Sequence, residues 1–130
     1  LMNGDASMVL VWSTRAKLLE KDSGGDIGFI WDQGLIAPGA MAVIKGNPGG
    51  AEVAMKFIAS AQDPARQLVM FNLLAQGPAN PATDELLPPE EARYNPVDPA
   101  NAAKQIPLNM EWYEANYGPA LDAYLAIISA

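Results

Sequence analysis

The stretch Met8-Val9-Leu10-Val11-Trp12-Ser13-Thr14-Arg15-Ala16 decides how this chain is read. An unbroken apolar run closed by an aromatic predicts a buried strand over residues 8–12. The Ser13-Thr14 pair that follows carries hydroxyls of the kind that cap a helix start. A strand whose end opens onto a helix N-terminus is the place where open α/β sheets bind ligands. The helix itself is expected over residues 14–21, with Ala16, Leu18 and Leu19 inward and Gly24-Gly25-Asp26 breaking it.

Working outward, residues 1–5 read as the frayed end of a helix followed by a glycine turn. Residues 27–31 and 41–44 predict two further strands, and residues 32–38 cross between them. Lys45-Gly46-Asn47-Pro48-Gly49-Gly50 has the chemistry of a surface turn. Ala54, Phe57, Ile58 and Ala61 recur at helical spacing and predict a helix over residues 51–62. Asp63-Pro64 supplies an N-cap and a proline at the first helical position for a second helix over residues 64–74, carrying Leu68, Phe71 and Leu74. From Asn80 onward prolines punctuate short helical pieces. Asp98-Pro99 repeats the cap logic, Asn109 caps a helix over residues 110–116, and Leu121, Tyr124, Leu125 and Ile128 form the apolar stripe of a last helix.

Composition narrows the function. The chain has 130 residues, half of them apolar, enough for one modest core. Fifteen acidic against eight basic residues give a net charge of −7, a surface that repels phosphate backbones and argues against nucleic-acid binding. There is no cysteine, hence no thiolate nucleophile or thiolate metal site, and no histidine, the usual general base and commonest transition-metal ligand. Asp84-Glu85, Glu90-Glu91 and the Glu111/Glu114 pair are solvated helix carboxylates, Asp22 and Asp26 lack the ligand density of a calcium loop, and no nucleophile is paired with a base. An enzyme is therefore not expected, nor a cofactor, nor a metal.

Read in order, the residues 8–16 run, Gly34 to Ala42, Gly77-Pro78-Ala79-Asn80-Pro81 and Gln105-Ile106-Pro107-Leu108-Asn109-Met110-Glu111-Trp112 resemble the C-terminal part of the extracellular solute-binding proteins of ABC importers, specifically the spermidine/putrescine-binding type. The resemblance implies an α/β, periplasmic-binding-protein fold (type II) of two lobes, with incomplete parts of both in this chain. Residues 1–39 would belong to the second lobe and end in a hinge crossing, residues 40–79 would return to the first lobe, and residues 80–130 would cross back. It also implies a small-molecule ligand held between the lobes, a membrane permease as partner, and a periplasmic location, or an extracellular one with a lipoprotein anchor. The missing N-terminal portion of the same protein would be a further partner, and residues 1–130 alone would pair with another chain through bare edges.

Site residues carry over one by one. Trp12 matches the cleft tryptophan of the family, whose face packs on an aliphatic or cationic ligand; a core tryptophan at a strand end is the alternative. Ser13 and Thr14 read as caps whose neighbouring amides also suit a ligand carboxylate, which Arg15 could grip bidentately. Where polyamine binders place a second tryptophan and, two residues on, an aspartate, this chain has Ala37 and Gly39; Gln76 replaces a tyrosine and Tyr113 a glutamine. The expected ligand-binding set is Trp12, Gly39, Gln76, Tyr113 and Arg15, with Asp32 and Gln33 as loop contacts. The loss of the aspartate favours a short amine or amino-acid-like solute over a long polyamine. A reading from another class is a stand-alone helical interaction module docking through Leu121, Tyr124, Leu125 and Ile128.

Overall fold

In the computed structural model, which describes residues 1–129, helices dominate. The order is α1 (Ser13–Asp22), β1 (Leu35–Ile36), α2 (Gly50–Ala61), α3 (Pro64–Leu74), two 3₁₀ helices (Pro81–Leu86 and Pro89–Tyr94), α4 (Pro99–Ala102), β2 (Ile106–Pro107) and α5 (Met110–Ile128).

Local sequence sets the helix ends. Asp63 accepts the Arg66 amide at 3.1 Å ahead of Pro64, Asp98 accepts that of Ala100 at 2.9 Å ahead of Pro99, and Asn109 accepts that of Trp112 at 2.9 Å. The α1 helix stops where Gly24 and Gly25 take positive φ and the Gly25 amide returns to the Glu20 carbonyl. One expectation is corrected at the C-terminus. Residues 110–128 form one helix running through Pro119 instead of two; the proline removes the bond to the Ala115 carbonyl and its ring crowds that group, which on an exposed helix can turn to solvent.

The three expected strands are also corrected. Residues 8–12, 27–31 and 41–44 make no ladder with any described segment. They carry no regular structure: residues 8–12 are exposed, Met8 at 84%, whereas Ile27, Phe29, Trp31 and Val43 are half-buried. Apolar, β-prone sequence prepares a strand, but a strand exists only where a neighbour supplies its backbone partners. The one sheet among the described residues is instead the parallel pair of β1 and β2, with Leu35 opposite Ile106 and Ile36 opposite Pro107. The Ile106 amide bonds the Gly34 carbonyl (2.7 Å) and the Leu108 amide that of Ile36 (2.8 Å). The pairing therefore joins the expected crossing at residues 32–38 to the start of α5, and the α/β character is reduced to that contact.

Packing is concentrated around α1, α3 and the first 3₁₀ helix. Phe71 is fully covered, with Ala16 and Ala75 buried beside it and Thr83 and Asn95 buried as polar members. Asn95 donates to the Asp84 carboxylate and accepts the Val97 amide, both at 3.2 Å, and Gln105 donates to the Pro96 carbonyl at 2.8 Å. No buried side-chain nitrogen or oxygen among the described residues lacks a partner. The rest is open: the accessible surface is 9864 Å², against about 6,600 Å² for a self-contained domain of this mass. The excess is largely apolar, from Leu10 and Ile30 to Phe57 on α2 and Ile127 on α5.

Candidate ligand-binding site

Trp12 is the last extended residue before α1 (φ −61°, ψ 141°), and its carbonyl accepts the amides of Arg15 (2.8 Å) and Ala16 (3.0 Å). Trp12 is 80% exposed, so none of the described residues buries it. Ser13 and Thr14 are not the caps their sequence suggested. No side chain caps α1, and the Ser13 and Thr14 amides make no hydrogen bond among the described residues. The positive end of the helix dipole is thus left open beside the indole.

The Ser13 hydroxyl turns instead to the Ala75 carbonyl at 3.5 Å, joining the start of α1 to the end of α3. Ala75 is held in the left-handed region (φ 48°, ψ 31°), with its amide on the Phe71 carbonyl and its side chain buried. This sharp stop ends α3 and leads into Gln76, which is exposed. Gly77 is required just beyond, since a Cβ there would stand 2.7 Å from Pro96. Trp12 immediately precedes α1 and Arg15 lies in its first turn, and Gln76 follows the Ala75 carbonyl that Ser13 contacts. Arg15 is exposed and forms neither an ion pair nor a hydrogen bond among the described residues, so its guanidinium is available to an anion.

Gly39 and Tyr113 lie elsewhere. Gly39 follows β1 and Tyr113 follows β2, and the parallel pairing sends both segments off the same end of the two strands. A Cβ at Gly39 would meet nothing within 4 Å, so packing does not demand a glycine here. Tyr113 is partly exposed and edge-on to Trp112 (5.1 Å, 85°). No hydrogen bond links this pair to the Trp12 group among the described residues. Two concavities, an apolar groove between residues 41–43 and α2 and a smaller one between α1 and the end of α3, include none of the five residues. Asp32 stands 3.9 Å from Lys104, and Gln33 donates its amide to the Lys104 carbonyl with φ at 62°, so both belong to the strand crossing.

Sequence reasoning missed what holds α1 in place. Lys17 pairs with Glu91 at 2.7 Å while its ammonium lies 5.1 Å from the Phe71 ring centre and 4.7 Å from that of Tyr94. One turn on, Glu20 pairs with Arg93 at 2.5 Å, and Arg93 also reaches the Tyr94 hydroxyl. The bond to Arg93 holds the Glu20 carboxyl below its usual value against the opposing effect of burial, and Glu20 in turn raises Arg93 further. No group of three metal-ligating side chains occurs among the described residues, and no described helix is long and apolar enough to cross a membrane.

The fold is similar to that of one class, the substrate-binding proteins of ABC transporters. The chain superposes on the crystal structure of such a protein from Bradyrhizobium japonicum USDA 110 with a TM-score of 0.74 and 30% identity, covering 92% of this chain and 37% of that one. In sequence it is 31% identical over 122 residues to the gamma-aminobutyric acid-binding protein of Pseudomonas aeruginosa, covering 94% of this chain and 34% of that protein. The chain thus spans about a third of the length of the curated relative it matches. No protein-family model matches it. The likeness is to proteins named for binding and not to enzymes, and neither is named for spermidine or putrescine.

Proposed function

We propose that this chain is part of the solute-binding component of an ABC importer, which takes a short amino-acid-like solute from the periplasm or extracellular space and delivers it to a membrane permease. The observation that carries the reading is the open N-terminus of α1, where two unpaired amides and the free Arg15 guanidinium stand beside the exposed face of Trp12. A ligand carboxylate is stabilised by the amides and by Arg15. An ammonium or short methylene chain packs on the indole. The likeness to a protein named for gamma-aminobutyric acid supports the same chemistry, a carboxylate and an amine separated by a few carbons.

Likeness to a substrate-binding protein of an ABC transporter supports the two-lobed reading. With residues 1–39 and 80–130 in one lobe and 40–79 in the other, β1 lies in the crossing at residues 32–38 with β2 paired beside it, and the Ser13–Ala75 and Lys17–Phe71 contacts join one lobe to the other. Ligand contacts made from both sides favour the closed arrangement, which the permease recognises. Gly39 and Tyr113 would line the cleft from the far end of those crossings.

Calorimetric titration of the full-length protein with γ-aminobutyrate, α-amino acids, putrescine and spermidine tests the proposal. Saturable binding of a carboxylate-bearing amine with no binding of the diamine or triamine is expected. Tight spermidine binding without γ-aminobutyrate binding would overturn the ligand assignment.

A further inference from the structure

Beyond the residues around the open helix end, we infer that Lys17, Glu20, Glu91 and Arg93 form a clamp that positions the α1 N-terminus for its ligand, an inference that rests on the proposed function. The open amides of Ser13 and Thr14 and the Trp12 ring have no capping side chain to hold them. Their direction is set by the axis of α1, and that axis is held from the helix's other side.

Ser13, Ala16, Lys17 and Glu20 share one face, because residues three and four apart superpose along a helix. Every member of this face is engaged: Ser13 on the Ala75 carbonyl, Ala16 buried, Lys17 on Glu91 and Glu20 on Arg93. Arg15, two residues from both Ser13 and Lys17, is turned to the opposite side and left free. Glu91 and Arg93 come from the second 3₁₀ helix, whose own place is fixed by Trp31 donating its indole N–H to the Arg93 carbonyl at 2.9 Å and by Phe29 stacked at 5.8 Å from Tyr94. The two ion pairs are thus made against a fixed support and are one helical turn apart. That spacing controls the tilt of α1 as a single pair could not. The pairs also differ in sign along the helix, cation then anion from α1 against anion then cation from its partner, which selects one register.

The test uses the full-length protein with Arg93→Glu, which sets two carboxylates against each other, and with the exchanged pair Glu20→Arg/Arg93→Glu, which restores an ion pair of reversed order. Hydrogen exchange of the α1 amides reads positioning without any ligand, and calorimetry with γ-aminobutyrate reads its consequence. In Arg93→Glu, exchange in α1 should rise about fivefold or more while α2 is unchanged, and affinity should fall by a similar factor. The exchanged pair should recover most of both. Unchanged α1 exchange in Arg93→Glu, or a faster α1 with affinity intact, overturns the clamp. Failure of the unsubstituted protein to bind γ-aminobutyrate would count against the ligand assignment alone, and the exchange comparison would then decide the clamp by itself.

Discussion

Phe71→Ala in the full-length protein should be the most damaging single truncation in this region. Among the described residues Phe71, on α3, is the one large apolar side chain that is fully covered, with the Lys17 ammonium of α1 5.1 Å from its ring centre. Exposing a phenylalanine uncovers about 150–250 Å², which at about 25 cal/mol per Å² corresponds to about 4–6 kcal/mol. Truncations of this kind cost about 3–5 kcal/mol once partial collapse is allowed. The cation–π contact adds about 0.5–1 kcal/mol, part of which Lys17 keeps through Tyr94 at 4.7 Å. A loss of about 4 kcal/mol is therefore expected for Phe71→Ala, and about 1 kcal/mol for Phe71→Leu, which keeps most of the volume. Urea unfolding followed by hydrogen exchange of α1 and α3 amides measures both. A cost below about 1 kcal/mol for the alanine variant would show that α1 and α3 are not joined through this residue.

Three further outcomes follow from the packing and charge. Asn95→Asp keeps the acceptor for the Val97 amide but replaces the donor to Asp84 with an oxygen 3.2 Å from that carboxylate; a loss of about 2 kcal/mol is expected, and urea melts check it. Glu20 has a lowered carboxyl value, so its contribution is complete above the ordinary value of 4.5 and is lost as pH falls through the folded-state value. Exchange protection of α1 should therefore fall as pH drops below 4.5 in the unsubstituted protein and change less in Glu20→Gln. Residues 1–130 prepared alone, with 9864 Å² of accessible surface, should bind anilinonaphthalene sulfonate and unfold over a broad range; a sharp transition without dye binding would contradict this.

The helices were legible because their causes are local. Asp63-Pro64, Asp98-Pro99 and Asn109 each carry their own cap within a few residues, and the structure starts a helix at each. The strands were not, because β-pairing depends on a distant neighbour: residues 8–12 have strand sequence without a ladder, while Leu35–Ile36 and Ile106–Pro107 pair with too little sequence to announce it. At the proposed site the sequence put Trp12 at a helix start, and the structure has it immediately before α1. Its companions fall into two groups that only the three-dimensional path separates, Arg15 and Gln76 near α1, Gly39 and Tyr113 beyond the strand pair. The clamp on α1 was invisible, since its partners lie 74 and 73 positions apart along the chain.

Placement of the ligand at the open end of α1 depends most directly on Trp12. In calorimetric titration of the full-length protein with γ-aminobutyrate, Trp12→Ala should weaken binding by about 1–3 kcal/mol, the scale of a lost aromatic and cation–π contact. The unliganded thermal transition should barely move, because the ring is 80% exposed and supports nothing around it among the described residues. Affinity equal to that of the unsubstituted protein, with or without a fall in stability, would contradict the placement of the ligand at the open end of α1.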